Sequence, residues 1–340
     1  MKADSAPESK RIAVIGAGSW GTALAIVAAR NAHQVKLWAR EPELAREINR
    51  ARKNTFYLSE FDLSENIRAT TALEDALDGA HFALLVVPSH AMREIVGCLR
   101  ANLRSDVVLV SAAKGVEIST LMRMEEVITD VLRESFSPRY VALSGPSFAR
   151  EVAKGDPTAI VAASRNREWS EMVQHSLGSS LFRVYTNTDV PGVELGGAVK
   201  NVVAIAAGVV RGLGLGTNAV AAIITRGLAE MTRLALAQGA RAETLAGLAG
   251  LGDLVLTCTG ELSRNRHVGV ELGRGRKLED ILGEMREVAE GVKTTRSIYE
   301  LGRRVGIEMP ITDSIYALLY QDKPALEAAN DLMGRPLKRE

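Results

Sequence analysis

Two hydrophobic patterns divide this chain near residue 188. Before it, short apolar runs at 11–15, 34–38, 67–70, 81–87, 107–110, 140–143, 159–163 and 182–185 alternate with longer stretches of mixed character. Runs this short suit strands better than helices. Ala83-Leu-Leu-Val-Val87 is apolar without a polar alternate, as a strand covered on both sheet faces should be. Helical runs, beginning at 22–30, lie between most of them. The first part therefore reads as a doubly wound α/β sheet with its ligand crevice at the carboxyl ends of the strands. Beyond Val190 strand patterning almost vanishes, and helical runs at 193–210, 217–238 and 242–248 are followed by shorter ones to Leu332. The expected division is a sheet domain over 1–188, opening with a polar leader over 1–10, and an all-α domain over 189–340.

The first strand runs directly into Gly16-Ala-Gly18-Ser-Trp-Gly21 and then into a helix. In that context each glycine has a task. Gly16 permits the tight turn, Gly18 lets backbone approach a pyrophosphate, and Gly21 lets helix and strand pack closely. The helix N-terminus adds N–H groups and positive potential. This predicts a dinucleotide in a Rossmann-like sheet domain. A glycine turn without ligand, or a related fold holding FAD or a methyl donor, is the alternative. The second strand ends in Ala39-Arg40-Glu41. An acid there favours NAD and an arginine accommodates the 2′-phosphate of NADP, so NADP is expected to be accepted and NAD not excluded. Glu41, just before Pro42, also fits the start of a helix. Pro88-Ser89 ends a later strand and would line the nicotinamide side of the crevice. Lys114 follows another strand, as a crevice residue or a solvated loop lysine. Gly145-Pro-Ser147-Phe-Ala149 offers N–H groups and a hydroxyl, with Ser147 as ligand contact or helix cap.

In the helical half, the run Gly192 to Gly208 carries one cation in apolar surroundings. At about 100° per residue, Lys200 shares its face with Gly196, Gly197, Ala204, Ala207 and Gly208, while Leu195, Val202, Ile205, Val209 and Val210 lie opposite. Such a bare face would let a small ligand reach the ammonium, with the Asn201 amide beside it. The bland alternatives are a lysine that snorkels to water and glycines that serve helix packing. Asp253 is likewise a lone acid in an apolar stretch and a candidate partner for a lysine. Ser263-Arg264-Asn265 stands at a helix start, where Arg264 would grip an anion, and Glu290 stands at another. For these the alternatives are a surface loop and helix caps. The glycine-rich stretch 211–217 follows no strand, so it reads as a helix connection capped by Thr217.

Composition narrows the function classes. At 340 residues, with 46% hydrophobic and 24% charged positions, the chain is that of a globular protein of one or two domains. A net charge of +1 gives no electrostatic case for nucleic acid or an anionic membrane. The longest apolar run, 202–210, is too short to span a bilayer, and no membrane span is expected. Cys98 and Cys258 are the only cysteines, which rules out a disulfide framework and a four-cysteine metal site and makes the cytoplasm the simplest compartment.

Gly-Ala-Gly-Ser-Trp-Gly-Thr-Ala, Ala-Ala-Lys114-Gly, Ser-Gly-Pro-Ser-Phe-Ala, Gly-Ala-Val-Lys200-Asn-Val-Val-Ala, Gly-Leu-Gly-Asp253-Leu and Ser-Arg264-Asn occur in this order. Together they resemble the NAD(P)-dependent glycerol-3-phosphate dehydrogenase family of bacterial type. The resemblance implies a cytoplasmic enzyme, expected as a homodimer. It would reduce dihydroxyacetone phosphate reversibly to sn-glycerol 3-phosphate for phospholipid synthesis, with no resident metal. It implies cofactor contacts at Ser19, Trp20, Arg40, Lys114, Ala149, Arg264, Val288 and Glu290, and substrate contacts at Lys114, Gly145, Ser147, Lys200, Asp253, Ser263, Arg264 and Asn265. Lys200 would transfer the proton, its pKa lowered by burial, with Lys114 and Asp253 completing the catalytic cluster. Arg264 and Asn265 would hold the substrate phosphate, in a cleft between the domains. Two rivals remain: another reductase of this architecture, acting on a hydroxyacid or ketopantoate, and a non-catalytic NAD(P) sensor.

Overall fold

The computed structural model describes residues 9–285 and 289–334. The chain forms two compact units: residues up to Ala113 with Met124–Leu143 and Ser147–Val190, and a second made of Lys114–Arg123, Ser144–Pro146 and everything from Pro191 onward. Each has its own apolar core.

Among the described residues the chain has ten strands: β1 Arg11–Ile15, β2 Gln34–Trp38, β3 Lys53–Asn54, β4 Leu58–Asp62, β5 Ile67–Thr70, β6 Phe82–Leu85, β7 Val108–Ser111, β8 Arg139–Ser144, β9 Thr158–Ala163 and β10 Phe182–Asn187. Eight form one sheet in the order β10-β9-β8-β7-β6-β1-β2-β5. The pairs of β1 with β2 and β6, β2 with β5, β7 with β6 and β8, and β9 with β10 are all parallel. The chain runs from β1 outward to β2 and β5, then returns to lay β6 on the other side of β1. That reversal is the switch point at which such sheets open a crevice. The register ends Ile15 opposite both Trp38 and Leu85, so the residues that follow β1 and β6 emerge side by side. β6 and β7 are buried along their whole length, which is why their sequence shows no polar alternation.

The antiparallel hairpin β3–β4 has no counterpart in the hydrophobic pattern. β3 is two residues long and β4, Leu-Ser-Glu-Phe-Asp, exposes most of its side chains, so neither carries an apolar period. The expected strand at 81–87 is shorter, Phe82–Leu85, because Val86 to Ser89 turn away as a loop and a short 3-10 helix.

The core of the second unit is the helix Val190–Gly212, hereafter the lysine helix. It is long and apolar enough to cross a membrane, yet its most apolar stretch is buried in protein throughout. Its glycines let another helix lie on it: a Cβ on Gly208 would stand 2.8 Å from Gly269 Cα, and one on Gly273 would stand 2.9 Å from Gly212 Cα. The helix Arg264–Gly273 thus covers part of the face that residue spacing suggested would be bare. Thr217 does not cap the helix Thr217–Ala237; Gly216 is its N-cap, and no side-chain hydrogen bond is made there. Farther on, Glu230 accepts hydrogen bonds from the N–H of Ile311 at 2.6 Å and of Thr312 at 3.3 Å, satisfying the start of the helix Pro310–Tyr320. Burial pushes its carboxyl up to about 7.

Candidate active site

At the end of β1, Gly16 has φ of +121° and its N–H donates to Trp38 O at 3.2 Å. A side chain there would strike the Val86 carbonyl, and one on Gly21 would strike the carbonyl of Gly16. Gly18 is the N-cap of the helix Ser19–Arg30, and a Cβ built on it meets nothing within 4 Å. The turn is therefore tight on its protein side and open at Gly18, where backbone can approach a ligand. The hairpin braces it. Asn54, fully buried, donates to Ala17 O and to Thr22 Oγ1, each at 2.8 Å, and Ser19 Oγ donates to Tyr57 O at 2.9 Å. Trp20 packs partly buried on the core. Arg40 is exposed and pairs with Glu41 at 3.0 Å, and Glu41 stands at the N-cap position of the helix Pro42–Ala51 without a side-chain hydrogen bond to it. Ala149 begins the helix Ala149–Lys154, whose N-cap is Phe148, so Ser147 does not cap it.

In the second unit, three charged groups meet. Lys200 Nζ lies 2.6 Å from Asp253 Oδ1 and 2.7 Å from Thr257 Oγ1; Lys114 Nζ lies 2.6 Å from Asp253 Oδ2 and 3.3 Å from Gly145 O. Side-chain exposure is 7% for Lys200, 15% for Lys114 and 1% for Asp253, so Lys200 does not snorkel to water. Each carboxylate oxygen holds one ammonium. Burial lowers the Lys200 pKa to about 8, Asp253 opposing the shift and the Lys114 charge adding to it. Burial works to raise the Asp253 pKa, but the charges of Lys114 and Lys200 overcome it and hold the carboxyl below its ordinary value. Two cations share one anion, which leaves net positive charge for an anionic ligand or a developing oxyanion.

Local geometry explains how these groups come together. Asp253 opens the helix Asp253–Thr259 directly after a π-turn, Leu248–Gly252, so it leaves that turn already aimed. Gly196 fits against this turn, where a Cβ would come 2.5 Å from Ala249 O. A Cβ on Gly197 would stand 2.8 Å from Ser144 Oγ and 3.4 Å from Lys114 Cγ, so glycine makes room for the second lysine. Gly145 itself has φ of +135°, a conformation that favours glycine.

The remaining candidates separate by role. Ser263 caps the helix Arg264–Gly273, its Oγ accepting from Arg266 N at 3.2 Å. Arg264 is the first residue of that helix and is exposed. Asn265 donates to Asn201 Oδ1 at 2.9 Å and accepts from Gly291 N at 3.0 Å, tying the lysine helix to the start of the helix Glu290–Val305. Glu290 is the first residue there; Val288 lies outside the described residues. Among the described residues, no group of three His, Cys, Asp or Glu side chains is arranged to hold a metal.

Residues 11–170 match the family described as NAD-dependent glycerol-3-phosphate dehydrogenase N-terminus, and residues 189–330 match the corresponding C-terminus. The chain belongs to the NAD-dependent glycerol-3-phosphate dehydrogenase family. A glycerol-3-phosphate dehydrogenase [NAD(P)+] of Geobacter sulfurreducens is 56% identical over 332 residues, 98% of this chain and 99% of that one. One of Koribacter versatilis is 57% identical, covering 97% and 98%. The crystal structure of a glycerol-3-phosphate dehydrogenase from Coxiella burnetii superposes with a TM-score of 0.92 at 40% identity, covering 96% and 99%.

Within this family member, several working parts escaped the sequence reading. Thr257 was visible one helical turn after Asp253, and its hydroxyl donates to Asp253 O at 2.6 Å while receiving Lys200. Asn54 had no local signal, since its partners are 32 and 37 residues away. Cys258, beside the cluster, is buried and its thiol is pushed up to about 12, which keeps it out of the chemistry.

Proposed function

We propose that this chain reduces dihydroxyacetone phosphate to sn-glycerol 3-phosphate, reversibly, with NADPH or NADH. The observation that carries this reading is the buried Lys200 ammonium, its pKa lowered to about 8, held on Asp253 beside a second lysine. The open Gly18 and the left-handed Gly16 fit a dinucleotide pyrophosphate. When bound, the nicotinamide supplies or accepts the hydride.

The residues of the chain do the rest. Lys200 donates a proton to the ketone oxygen during reduction and takes it back during oxidation. Its charge, with that of Lys114, stabilises negative charge on that oxygen. Asp253 fixes both ammonium groups, and the Thr257 hydroxyl accepts a second hydrogen bond from Lys200. Arg264, with the amide of Asn265, holds the substrate phosphate, whose binding energy keeps the ketone in place. Ser19, Trp20, Arg40, Ala149 and Glu290 serve the cofactor; Gly145, Ser147, Asn201 and Ser263 serve the substrate. In this reading residues 1–188 are the nucleotide-binding domain and 189–340 the substrate-binding domain. The same reading makes the protein a cytoplasmic homodimer that feeds phospholipid synthesis, supported by its kinship.

The test is loss of nicotinamide absorbance with purified protein. Oxidation of NADPH or NADH should require dihydroxyacetone phosphate and fail with unphosphorylated dihydroxyacetone. Equal rates with both ketones, or activity with ketopantoate instead, would overturn the assignment.

A further inference from the structure

A second buried ion pair lies in the helical unit, one that the reaction does not use. Arg123 Nη1 stands 2.7 Å from Glu194 Oε2, with side-chain exposures of 6% and 4%. Glu194 is on the lysine helix, six positions before Lys200. Arg123 is the last residue of Lys114–Arg123, a segment that belongs to the helical unit although the chain on both sides of it belongs to the sheet unit. Lys114 is the first residue of the same segment.

The segment is a closed loop. Val116 and Arg123 form an antiparallel bridge, Glu117 N donates to Met122 O at 2.9 Å, and Leu121 N donates to Glu117 O at 2.9 Å. Its far end is held from another helix, since Arg304 Nη1 donates to Thr120 O at 3.1 Å. Near its open end it meets the lysine helix through Lys114 and through Arg123. The Lys114 stem rests where Gly197 leaves room, and Arg123 grips Glu194 three positions earlier, on the same helical face. The bridge to Val116 closes the loop, and the Arg123–Glu194 pair fixes its register on the helix.

We propose that Arg123 and Glu194 are positioning residues that clamp the 114–123 loop to the lysine helix and so set the Lys114 ammonium on Asp253, opposite Lys200. A buried ion pair is costly to break from one side and adds directional fit more than net stability. That suits a clamp. The inference rests on the proposed reduction for its kinetic consequences but not for its structural one.

The structural consequence is read by amine-selective acylation followed by peptide mass spectrometry, which needs no turnover. In Glu194→Gln, labelling of Lys114 should rise about tenfold, while that of the remote Lys36 should stay constant. Arg123→Leu combined with Glu194→Leu removes both charges, avoids a lone buried ion, and should expose Lys114 similarly. The kinetic consequence is read from the pH dependence of reduction. Around Lys200 stand Asp253, Lys114, Thr257 and Cys258, with Arg266 beyond the thiol. A Lys114 released from Asp253 repels Lys200 less and leaves it the whole carboxylate, so the limb set by Lys200 should move up by about half a pH unit or more. NADPH affinity should not change. Leu301→Ala, a buried cavity variant in the same unit, controls for lost stability and should move neither labelling nor the limb. Unchanged Lys114 labelling in both clamp variants would overturn the proposal. So would a pH limb that moves no more than in Leu301→Ala. Absence of turnover in the wild-type protein would instead overturn the proposed reaction, and the labelling result would still decide the clamp.

Discussion

The glycine turn and the lysine cluster are both suited to anionic small molecules, but they are made of different materials. The turn is local. Its parts lie between Gly16 and Thr22, its donors are backbone N–H groups, and its shape depends on side chains that are missing. The cluster is assembled from afar. Lys114 and Asp253 are 139 residues apart, Lys200 and Asp253 are 53 apart, and what matters is charge held out of water. The difference sets how each site fails. A backbone site tolerates many exchanges but not an added Cβ. A charge site tolerates changes of bulk nearby but not the loss of one ion.

The largest expected effect tests the charge site. Lys200→Met removes the proton donor and should lower kcat by about 10³-fold, within the range of general acid catalysis. Nucleotide affinity, followed by quenching of tryptophan fluorescence, should be unchanged. If affinity fell with kcat, the two sites would not be separable and the contrast would break. The wild-type pH profile sharpens the same point. The Lys200 pKa is lowered to about 8, so reduction, which needs the protonated amine, should be fast below that pH and fall as pH rises through it. Oxidation, which needs the neutral amine, should rise over the same interval. Rates flat through this interval in both directions would remove Lys200 from proton transfer.

Next comes the anion of the cluster. Asp253→Asn leaves Lys114 and Lys200 facing each other without a counter-charge. Asp253 is what opposes the burial shift of Lys200, so its loss should move the pH limb down, below that of the wild type. Stability should fall by about 3–5 kcal/mol, as for a buried pair broken from one side. Thermal unfolding and the pH profile together check this; a change in one without the other would mean that Asp253 is structural only or electrostatic only.

How much of each site could be read from the sequence follows from the same contrast. The turn was legible because strand, glycines and helix are contiguous, and so was the sheet, because its buried strands lack polar alternates. The hairpin that braces the turn was not, since a two-residue strand carries no period and Asn54 looks like any loop residue. Lys200 stood out as the one cation of its apolar stretch, and Asp253 as a lone acid in another. That both oxygens of Asp253 are occupied, one by each lysine, depends on the path of the chain, and nothing local encodes it. Glycine spacing misled in part. Gly208 lies on the face that a helical projection leaves bare for a ligand, yet it receives Gly269 of a neighbouring helix. Projection shows which residues share a face but not what covers it.

A smaller effect is expected from the turn. In Gly21→Ala, the methyl group meets the carbonyl of Gly16, which is backbone and held by the sheet. The helix must shift, at about 1–3 kcal/mol. Affinity for NADPH and NADH should fall together, by about ten- to a hundredfold, while the pH limb set by Lys200 stays where it was. A limb that moved with the loss of affinity would show that the turn and the cluster are coupled.

The smallest effect concerns the rim of the nucleotide site, where the two materials meet. Arg40 is a charge, but an exposed one, with side-chain exposure of 82% and a paired neighbour in Glu41. An incoming 2′-phosphate would have to compete with that carboxylate for the guanidinium, and water screens both contacts. Arg40→Ala should therefore reduce kcat/KM for NADPH by only about five- to tenfold and leave that for NADH nearly unchanged. The loss should shrink as salt is raised, because an exposed pair is screened and a buried one is not. Equal losses with both cofactors would remove Arg40 from 2′-phosphate recognition. A loss as large as that of Lys200→Met, or one indifferent to salt, would mean that the guanidinium is enclosed when nucleotide binds and belongs with the buried charges instead.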